Sequence, residues 1–198
     1  FKRANIIKNA QAKYEVLEEL LANSNQLKWT IIYCSPQQID NVMEIMNSHR
    51  VRAHRFTMDQ GTAPSDRYGG ISEREHLLDR FAEGDYQVLV AMRCLDEGVD
   101  IPPARQVILM SSTGNPRQYI QRIGRVVRRY PGKREASIHD IVVVPGLGSI
   151  AAEVADLEDA ILDRELERYE YIARTALNTA EALKLIYGVR NKVWEKRR

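Results

Sequence analysis

The sequence predicts an open α/β sheet of parallel strands with helices on both faces, followed by a helical extension. Two observations carry this prediction. Short β-rich apolar runs alternate with amphipathic stretches of helical period up to about residue 144, and from residue 148 onward the period is helical throughout. Strands separated by helices imply parallel pairing, and ligands of such sheets gather at the carboxyl ends of the strands.

The elements of the sheet are predicted from residue spacing and from turn signals. Ser72 is the expected N-cap of one helix, and Gly84-Asp85 is its expected end. In chain order the predicted elements are a helix from about Ala4 to Ala22, a strand at Trp29–Cys34, a helix from Ser35-Pro36 through Met46, a strand at Val51–Thr57, an irregular loop at Asp59–Gly70, a helix from Ser72 to about Glu83, strands at Gln87–Ala91 and Gln106–Met110, a helix from Asn115-Pro116 to about Arg129, and a strand at Ser137–Val144.

The extension reads as one long helical stretch with a seam of apolar and small residues. The seam consists of Leu162, Leu166, Tyr169, Ala173, Ala176, Ala180, Leu183 and Tyr187. It suits a helix packed on a neighbouring element better than a free coiled-coil dimer, because it spans under about four heptads. A docking site for an accessory subunit is a third hypothesis for this helix. The predicted domains are an N-terminal helix at 1–27, the sheet domain at 28–147 and the helical extension at 148–198.

Charge is segregated along the chain although its formal net value is only +2. Seven basic residues and no acidic one lie between Arg117 and Arg134, whereas residues 135–170 hold ten acids and two arginines. Electrostatic binding depends on where charges cluster, so the small net charge does not decide whether the partner is a nucleic acid. The acid-free basic segment is therefore the candidate for an anionic ligand.

Composition excludes several other classes of site. Cys34 and Cys94 lack the spacing of a disulfide framework or a zinc site, and the four histidines are scattered singly, so we expect no metal site and a reducing intracellular, cytoplasmic setting. No apolar run approaches the roughly 20 residues of a membrane span. We therefore expect a soluble chain without a membrane partner.

The predicted helix after Asn115 has one apolar and one cationic face. The apolar face comprises Ile120, Ile123 and Val127, and the other comprises Gln121, Arg125 and Arg128. Gly124 lets a ligand approach the backbone, and the guanidinium fork suits phosphate oxygens. A solvated basic helix is the structural alternative, but the absence of acids around it favours phosphate binding.

These residues also carry a family resemblance. The segment Gln121-Arg-Ile-Gly-Arg-Val-Val-Arg128 resembles motif VI of superfamily 2 helicases, and Leu95-Asp-Glu-Gly-Val-Asp-Ile-Pro102 resembles their motif V. The run Trp29–Ser35 is similar to the strand and loop of motif IV, and the resemblance covers about residues 13–144. It implies a RecA-like fold, the second of two such domains in an ATP-driven motor. The nearest group is that of excision-repair helicases and restriction-enzyme motor subunits, because DEAD-box helicases usually have His where Gln121 stands.

The resemblance implies roles for individual residues. The implied arginine fingers, which would act catalytically, are Arg125 and Arg128. The implied ATP-binding residues are Gly98, Asp100, Gln121 and Arg122, and those implied to contact the nucleic-acid backbone are Ser35, Pro36, Thr57, Met92, Arg93 and Cys94. One position departs from the family, because relatives commonly have Thr or Ser where Met92 stands and a thioether cannot donate to phosphate. Arg93 is a substitute cation there, with a structural or surface role as its alternative.

The sequence contains no phosphate-cradling loop of its own. Pro131-Gly132-Lys133 lacks the earlier Gly and the following Ser or Thr of a Walker A motif, and Asp96-Glu97 belongs to the motif V segment rather than to a Walker B strand. We therefore expect ATP and Mg²⁺ to be held mainly by an N-terminal RecA-like domain outside this sequence, and this fragment alone to be inactive. The expected partner is nucleic acid, with DNA favoured over RNA; the alternative is a non-catalytic RecA-like module that binds nucleic acid or protein.

Overall fold

The computed structural model describes residues 8–23, 27–92, 101, 103–111, 123–124, 126–144 and 152–196. The chain divides into two compact units, residues 1–141 and 142–198. The finer boundaries predicted at residues 27 and 147 stay predictions.

The first unit contains a sheet of five parallel strands. In chain order these are β1 (Thr30–Tyr33), β2 (Ala53–Phe56), β5 (Val88–Ala91), β6 (Gln106–Leu109) and β7 (Ser137–Asp140). They lie in the order β2-β5-β1-β6-β7, so β1, the first strand in sequence, is the centre of the sheet. The last residues of the strands, Phe56, Ala91, Tyr33, Leu109 and Asp140, stand side by side. The predicted open parallel sheet is thus confirmed.

Both faces of this sheet are covered. Helix α1 (Ala12–Asn23) and helix α2 (Ile39–Ser48) pack their apolar residues on the face that carries Ile32, Val90 and Ile108. Successive strand residues alternate between faces, so the fully buried Ile31, Leu89 and Val107 belong to the other side. Helix α3 (Glu73–Glu83) reaches that side, where the guanidinium of Arg74 lies 5.9 Å from the ring centre of Phe56.

Two predicted helices differ from the structure. The predicted helix from about Ala4 to Ala22 is interrupted, because the chain turns at residues 9–11 and helix α1 begins at Ala12; its predicted start at Ala4 lies outside the described residues. The second helix begins at Ile39 after a turn, not at Ser35-Pro36, and its N-cap residue Gln38 makes no side-chain cap bond. The second difference has a physical reason: the Ser35 hydroxyl donates to the side-chain oxygen of Asn9 at 2.6 Å, so Ser35 is committed to a remote partner instead of capping a helix.

The third helix follows its prediction closely. The Ser72 hydroxyl accepts from the Glu75 backbone N–H, and the Glu75 carboxylate accepts from the Ser72 backbone N–H at 2.8 Å, which makes a reciprocal capping box. The Ser72 N–H and then its hydroxyl lower the pKa of Glu75. At the other end Gly84 adopts φ 89°, a left-handed conformation that Gly takes without a Cβ penalty.

The segment predicted as an irregular loop contains local order. Strand β3 (Pro64–Ser65) pairs antiparallel with β4 (Ile71–Ser72), and a short 3-10 helix at Asp66–Tyr68 joins them. Ser65 caps this turn with its side chain, and Gly69 ends it at φ 70°. The composition of the segment marked its turns but gave no sign of so short a hairpin, since two paired residues leave no detectable period.

The second unit is a helical hairpin rather than one long helix. Helix α4 (Ala152–Ala173) and helix α5 (Thr179–Lys196) run antiparallel, as shown by the bonds from Tyr187 to Glu170 and from Arg190 to Asp163. Its buried residues are Leu162, Leu166, Tyr169, Ala173, Ile186 and Val193. The first half of the predicted seam is therefore buried, whereas Ala180 and Tyr187 are exposed because the turn at residues 174–178 resets the helical phase. Among the described residues, no helix combines the length and apolarity needed to cross a bilayer.

We predict that Ser72→Ala lowers the free energy of unfolding by about 1 kcal/mol, because the first turn of α3 loses a cap that satisfies a backbone N–H. Urea unfolding monitored by circular dichroism measures the change. Ser48→Ala is the matched control, since its hydroxyl donates to the Ile45 carbonyl at 2.9 Å near the other end of a helix and caps no N-terminus. Equal losses in both variants would contradict the capping role.

Burial lowers the pKa of His139, in the described edge strand β7, below its ordinary value of 6.5. On acidification the unfolded chain therefore binds a proton before the folded chain does, so stability falls as the pH drops from about 7 through that value and levels off below the folded pKa. We predict a shallower fall for His139→Asn. The measurement is the free energy of unfolding between pH 8 and pH 5; parallel pH profiles for the two proteins would refute the assignment.

Candidate nucleotide and nucleic-acid interface

Three of the positions predicted to contact the nucleic-acid backbone lie along one edge of the sheet. Thr57 follows β2, Met92 follows β5, and Ser35 follows β1, and these three strands are neighbours. With parallel strands about 4.8 Å apart, the positions after β2 and β1 are about 10 Å apart across the edge. Helices α2 and α3 both begin on this side, because each leads from the carboxyl end of one strand to the amino end of the next. The edge is therefore a row of polar groups and helix N-termini.

Ser35 is buried in a small cluster of polar side chains. Its hydroxyl donates to the Asn9 side-chain oxygen at 2.6 Å, and its backbone N–H donates to the Gln38 side-chain oxygen at 2.9 Å. Gln38 donates in turn to the Lys8 carbonyl, and Asn9 donates to Gln37. Since a hydroxyl has one hydrogen, Ser35 can donate to a phosphate only after leaving Asn9.

Thr57 is held in a similar way at the end of β2. Its hydroxyl donates to the Asp59 carboxylate at 2.9 Å, and its backbone N–H donates to the side-chain oxygen of Gln60 at 2.5 Å. Only 4% of Thr57 is exposed. Both predicted hydroxyl donors thus have an oxygen acceptor from the chain itself, and the acceptor of Thr57 is an anion.

Arg74 is a cation at this edge that the sequence analysis did not single out. Its guanidinium donates to the Thr57 carbonyl at 3.3 Å and lies over the Phe56 ring, while its buried Nε has no hydrogen-bond partner among the described residues. The signal that could have found it is its place in the first turn of a capped helix that starts at the carboxyl edge.

The remaining described members of the predicted set differ in what they offer. Pro36 is exposed and has no N–H to donate. Met92 is half-buried and packs against the core that lies under α1 and α2, so its side chain is a packing group. The buried Lys13 of α1 donates from Nζ to the Met110 carbonyl at 2.7 Å, which ties that helix to the same edge just after β6.

Arg128 follows a helical segment whose apolar residues are buried. Ile123, Gly124 and Val126 are helical, and the Val127 N–H donates to the Ile123 carbonyl at 3.0 Å. Ile123 and Val126 are buried, whereas Val127 is 50% exposed. The predicted packing face is thus corrected from Val127 to Val126, because the helix ends there and its period stops. Arg128 itself is exposed.

The other predicted site residues lie outside the described residues, so their positions stay predictions. They are Arg93, Cys94, Gly98, Asp100, Gln121, Arg122 and Arg125. Within the part of the chain that is described, no group of three or more His, Cys, Asp or Glu side chains is arranged to hold a metal ion.

The comparisons with known proteins agree with one another. Residues 12–130 match the family described as the helicase conserved C-terminal domain. The chain is 34% identical over 138 residues to the DNA 3'-5' translocase XPB2 of Sulfurisphaera tokodaii, and covers 28% of that protein with 70% of its own length. It is 27% identical over 177 residues to the ATP-dependent RNA helicase DBP5 of Kluyveromyces lactis, with 85% of this chain and 36% of the relative covered. The chain thus spans about a third of these relatives.

Solved structures give the same result. The C-terminal domain of the DEAD-box protein Dbp5 superposes with a TM-score of 0.53 at 27% identity, over 69% of this chain and 73% of that one. The C-terminal part of the Fun30 ATPase domain superposes with a TM-score of 0.55 over 78% of this chain and 54% of that one, and its 19% identity supports the fold alone.

Proposed function

The chain belongs to the helicase conserved C-terminal domain family of superfamily 2, and from this membership we propose that it is the finger-donating half of an ATP-driven nucleic-acid translocase or helicase. In this proposal Arg125 and Arg128 reach ATP bound by a second, N-terminal RecA-like domain. The observation that carries it is the exposed Arg128 at the end of a segment anchored by buried Ile123 and Val126.

The ATP side of the proposal rests on electrostatics. ATP supplies the γ-phosphoryl group, and a guanidinium beside it stabilises the negative charge that develops during transfer. Gly98, Asp100, Gln121 and Arg122 would line the same nucleotide, with Asp100 accepting from a ribose hydroxyl. Arg128 suits its role because a planar fork can pair with two phosphate oxygens at once.

The proposal requires a second domain for Mg²⁺ and the phosphates. The sequence has neither a Walker A lysine nor a Walker B pair, and the described residues hold no cluster of three potential metal ligands. The fragment alone should therefore be inactive, and closure of a cleft between two domains would bring Arg128 to the nucleotide. Both relatives compared above are much longer than this chain, which leaves room for such a domain.

The nucleic-acid side rests on the row of donors at the carboxyl edge. We infer that Ser35, Thr57 and the backbone beside Met92 contact the phosphodiester chain, with Pro36, Arg93 and Cys94 next to them. Such contacts carry no base information. For Thr57 a phosphate oxygen would replace the Asp59 carboxylate as acceptor, and the nearby Arg74 adds a positive charge. Relatives named for DNA and for RNA both match; the higher identity to the DNA translocase supports DNA.

We predict that Arg128→Ala in the full-length protein lowers the kcat of the nucleic-acid-stimulated ATPase by about 10³-fold or more, because the transition state loses a guanidinium. Arg128→Lys should recover little, since an ammonium lacks the fork. Arg129→Ala is the matched control, as it removes the adjacent exposed charge. Near-normal turnover in Arg128→Ala would contradict the arginine-finger role. Absence of stimulated ATPase in the unmutated full-length protein, together with salt-sensitive binding that needs no nucleotide, would instead favour the non-catalytic binding module.

We predict opposite effects on nucleic-acid affinity for two substitutions in the turn after β2, at Thr57 and Asp59. Thr57→Val should weaken binding of single-stranded DNA about tenfold at fixed salt, because it removes a hydroxyl that donates to a charged oxygen. Asp59→Asn should strengthen binding, because it removes an anion that competes for the same hydroxyl. Fluorescence anisotropy on DNA and on RNA of equal length measures both effects and the preference between them.

The matched control for this turn is Thr62→Val, which changes an exposed threonine of the same loop. Equal affinities for Thr57→Val and Thr62→Val would remove Thr57 from the proposed contact.

A further inference from the structure

A tight turn folds back onto the segment that leads to Arg128. The Lys133 N–H donates to the Tyr130 carbonyl at 2.9 Å, and Gly132 takes φ 74°, a left-handed conformation. The turn returns the Lys133 side chain to the helix end, where its Nζ donates to the carbonyl of Val126 and, at 2.9 Å, to the carbonyl of Arg128. The ammonium group of Lys133 thus bridges the carbonyl of Val126, where this helical segment ends, and the carbonyl of Arg128, the proposed arginine finger.

The chemistry of a helix end explains why a cation suits this place. The last carbonyls of a helix have no partner within the helix, and together they carry a partial negative charge. A lysine that reaches them satisfies their hydrogen bonds and the local field at once. Because one of the two acceptors belongs to Arg128, the contact fixes the peptide from which the Arg128 side chain leaves.

A second set of contacts holds the turn itself. Arg105, just before β6, donates from Nη2 to the Gly132 carbonyl at 3.0 Å, and its guanidinium lies 4.5 Å from the ring centre of Trp29. The Nζ of Lys28 lies 4.2 Å from the same ring centre. Trp29 keeps an unusual φ of 54°, and its carbonyl accepts from the Arg105 N–H at 2.8 Å. These contacts link the amino ends of strands β1 and β6 to the turn that holds Arg128.

We propose that Lys133 is a positioning residue for Arg128, with Arg105 and Trp29 as its support, so that the finger backbone is set before nucleotide arrives. The inference rests on the proposed function, because it assigns Lys133 an effect on ATP turnover that acts through Arg128. It gives a role to the lysine of Pro131-Gly132-Lys133, which resembles part of a phosphate-binding motif but donates to the backbone carbonyls of Val126 and Arg128.

The test compares charge-matched variants of the full-length protein. Lys133→Met should lower the kcat of stimulated ATP hydrolysis by about 10- to 100-fold, the scale expected for a misplaced catalytic group, and change the KM for ATP little. Lys133→Arg should recover most of the rate, because it can still donate to both carbonyls. Arg134→Met removes the adjacent exposed charge and should leave kcat unchanged. Equal losses for Lys133→Met and Arg134→Met would overturn the proposal.

A double-mutant cycle separates positioning from general stability. In the Arg128→Ala background, Lys133→Met should reduce kcat no further, because residues that act as one unit are not additive. A full additional loss would overturn the proposal. Arg105→Gln, which removes the guanidinium from Gly132 and from the Trp29 ring but keeps Lys133, should lower kcat in the same direction and serves in place of Lys133→Met if that variant does not fold. If Arg128→Ala alone is near normal, the proposed function fails; if only Lys133→Met and Arg105→Gln are normal, the positioning inference alone fails.

Discussion

Parallel pairing of five short strands is the constraint on which the candidate nucleic-acid edge of this domain depends. Each strand has four residues, and the strand ends are aligned in register from β2 across to β7. Because the strands run the same way, the residues after them meet at one edge, which is where Ser35 and Thr57 are brought together from distant parts of the sequence. A one-residue slip of β2 against β5 would exchange its buried Phe56 with the neighbouring exposed Arg55, so burial on both faces enforces this register.

The two sides of the proposed function are supported by different physical means. At the carboxyl edge, polar side chains bind one another through short-range hydrogen bonds, as between Ser35 and Asn9. At the segment before Arg128, apolar burial of Ile123 and Val126 and the ammonium of Lys133 fix a backbone whose last arginine stays exposed. Apolar packing thus supplies the rigid scaffold, and hydrogen bonds hold the polar groups of the candidate sites on it.

What the sequence could predict depended on whether a local signal decided the structure. Ser72 and Gly84 bracket a helix with groups that lie within the helix itself, so its limits were predictable. Ser35 is a residue type that commonly caps helices, but its hydroxyl donates to Asn9, 26 positions away in the sequence. A rule based on neighbouring residues cannot predict that partner. The break before α5 did have a local signal, Asn178 followed by Glu181 three residues later, yet the apolar spacing continued across it and masked it. The contacts of Lys133 became apparent only in the structure, because their acceptors are backbone carbonyls that no residue type marks, whereas the place of Arg74 in the first turn of a capped helix was a signal within the sequence.

The acceptors that the chain itself supplies at the sheet edge, Asp59 and Asn9, bear on how such a domain would release a nucleic-acid strand. A motor that moves must break its contacts as often as it forms them. If the Thr57 hydroxyl engages a phosphate, it exchanges one oxygen partner for another, and on release it returns to Asp59 instead of waiting unpaired. The same holds for Ser35 and Asn9. The hydroxyl bonded to phosphate and the hydroxyl bonded to its internal acceptor would then differ little in free energy. Such a balance favours weak contacts that form and break quickly over tight and lasting ones.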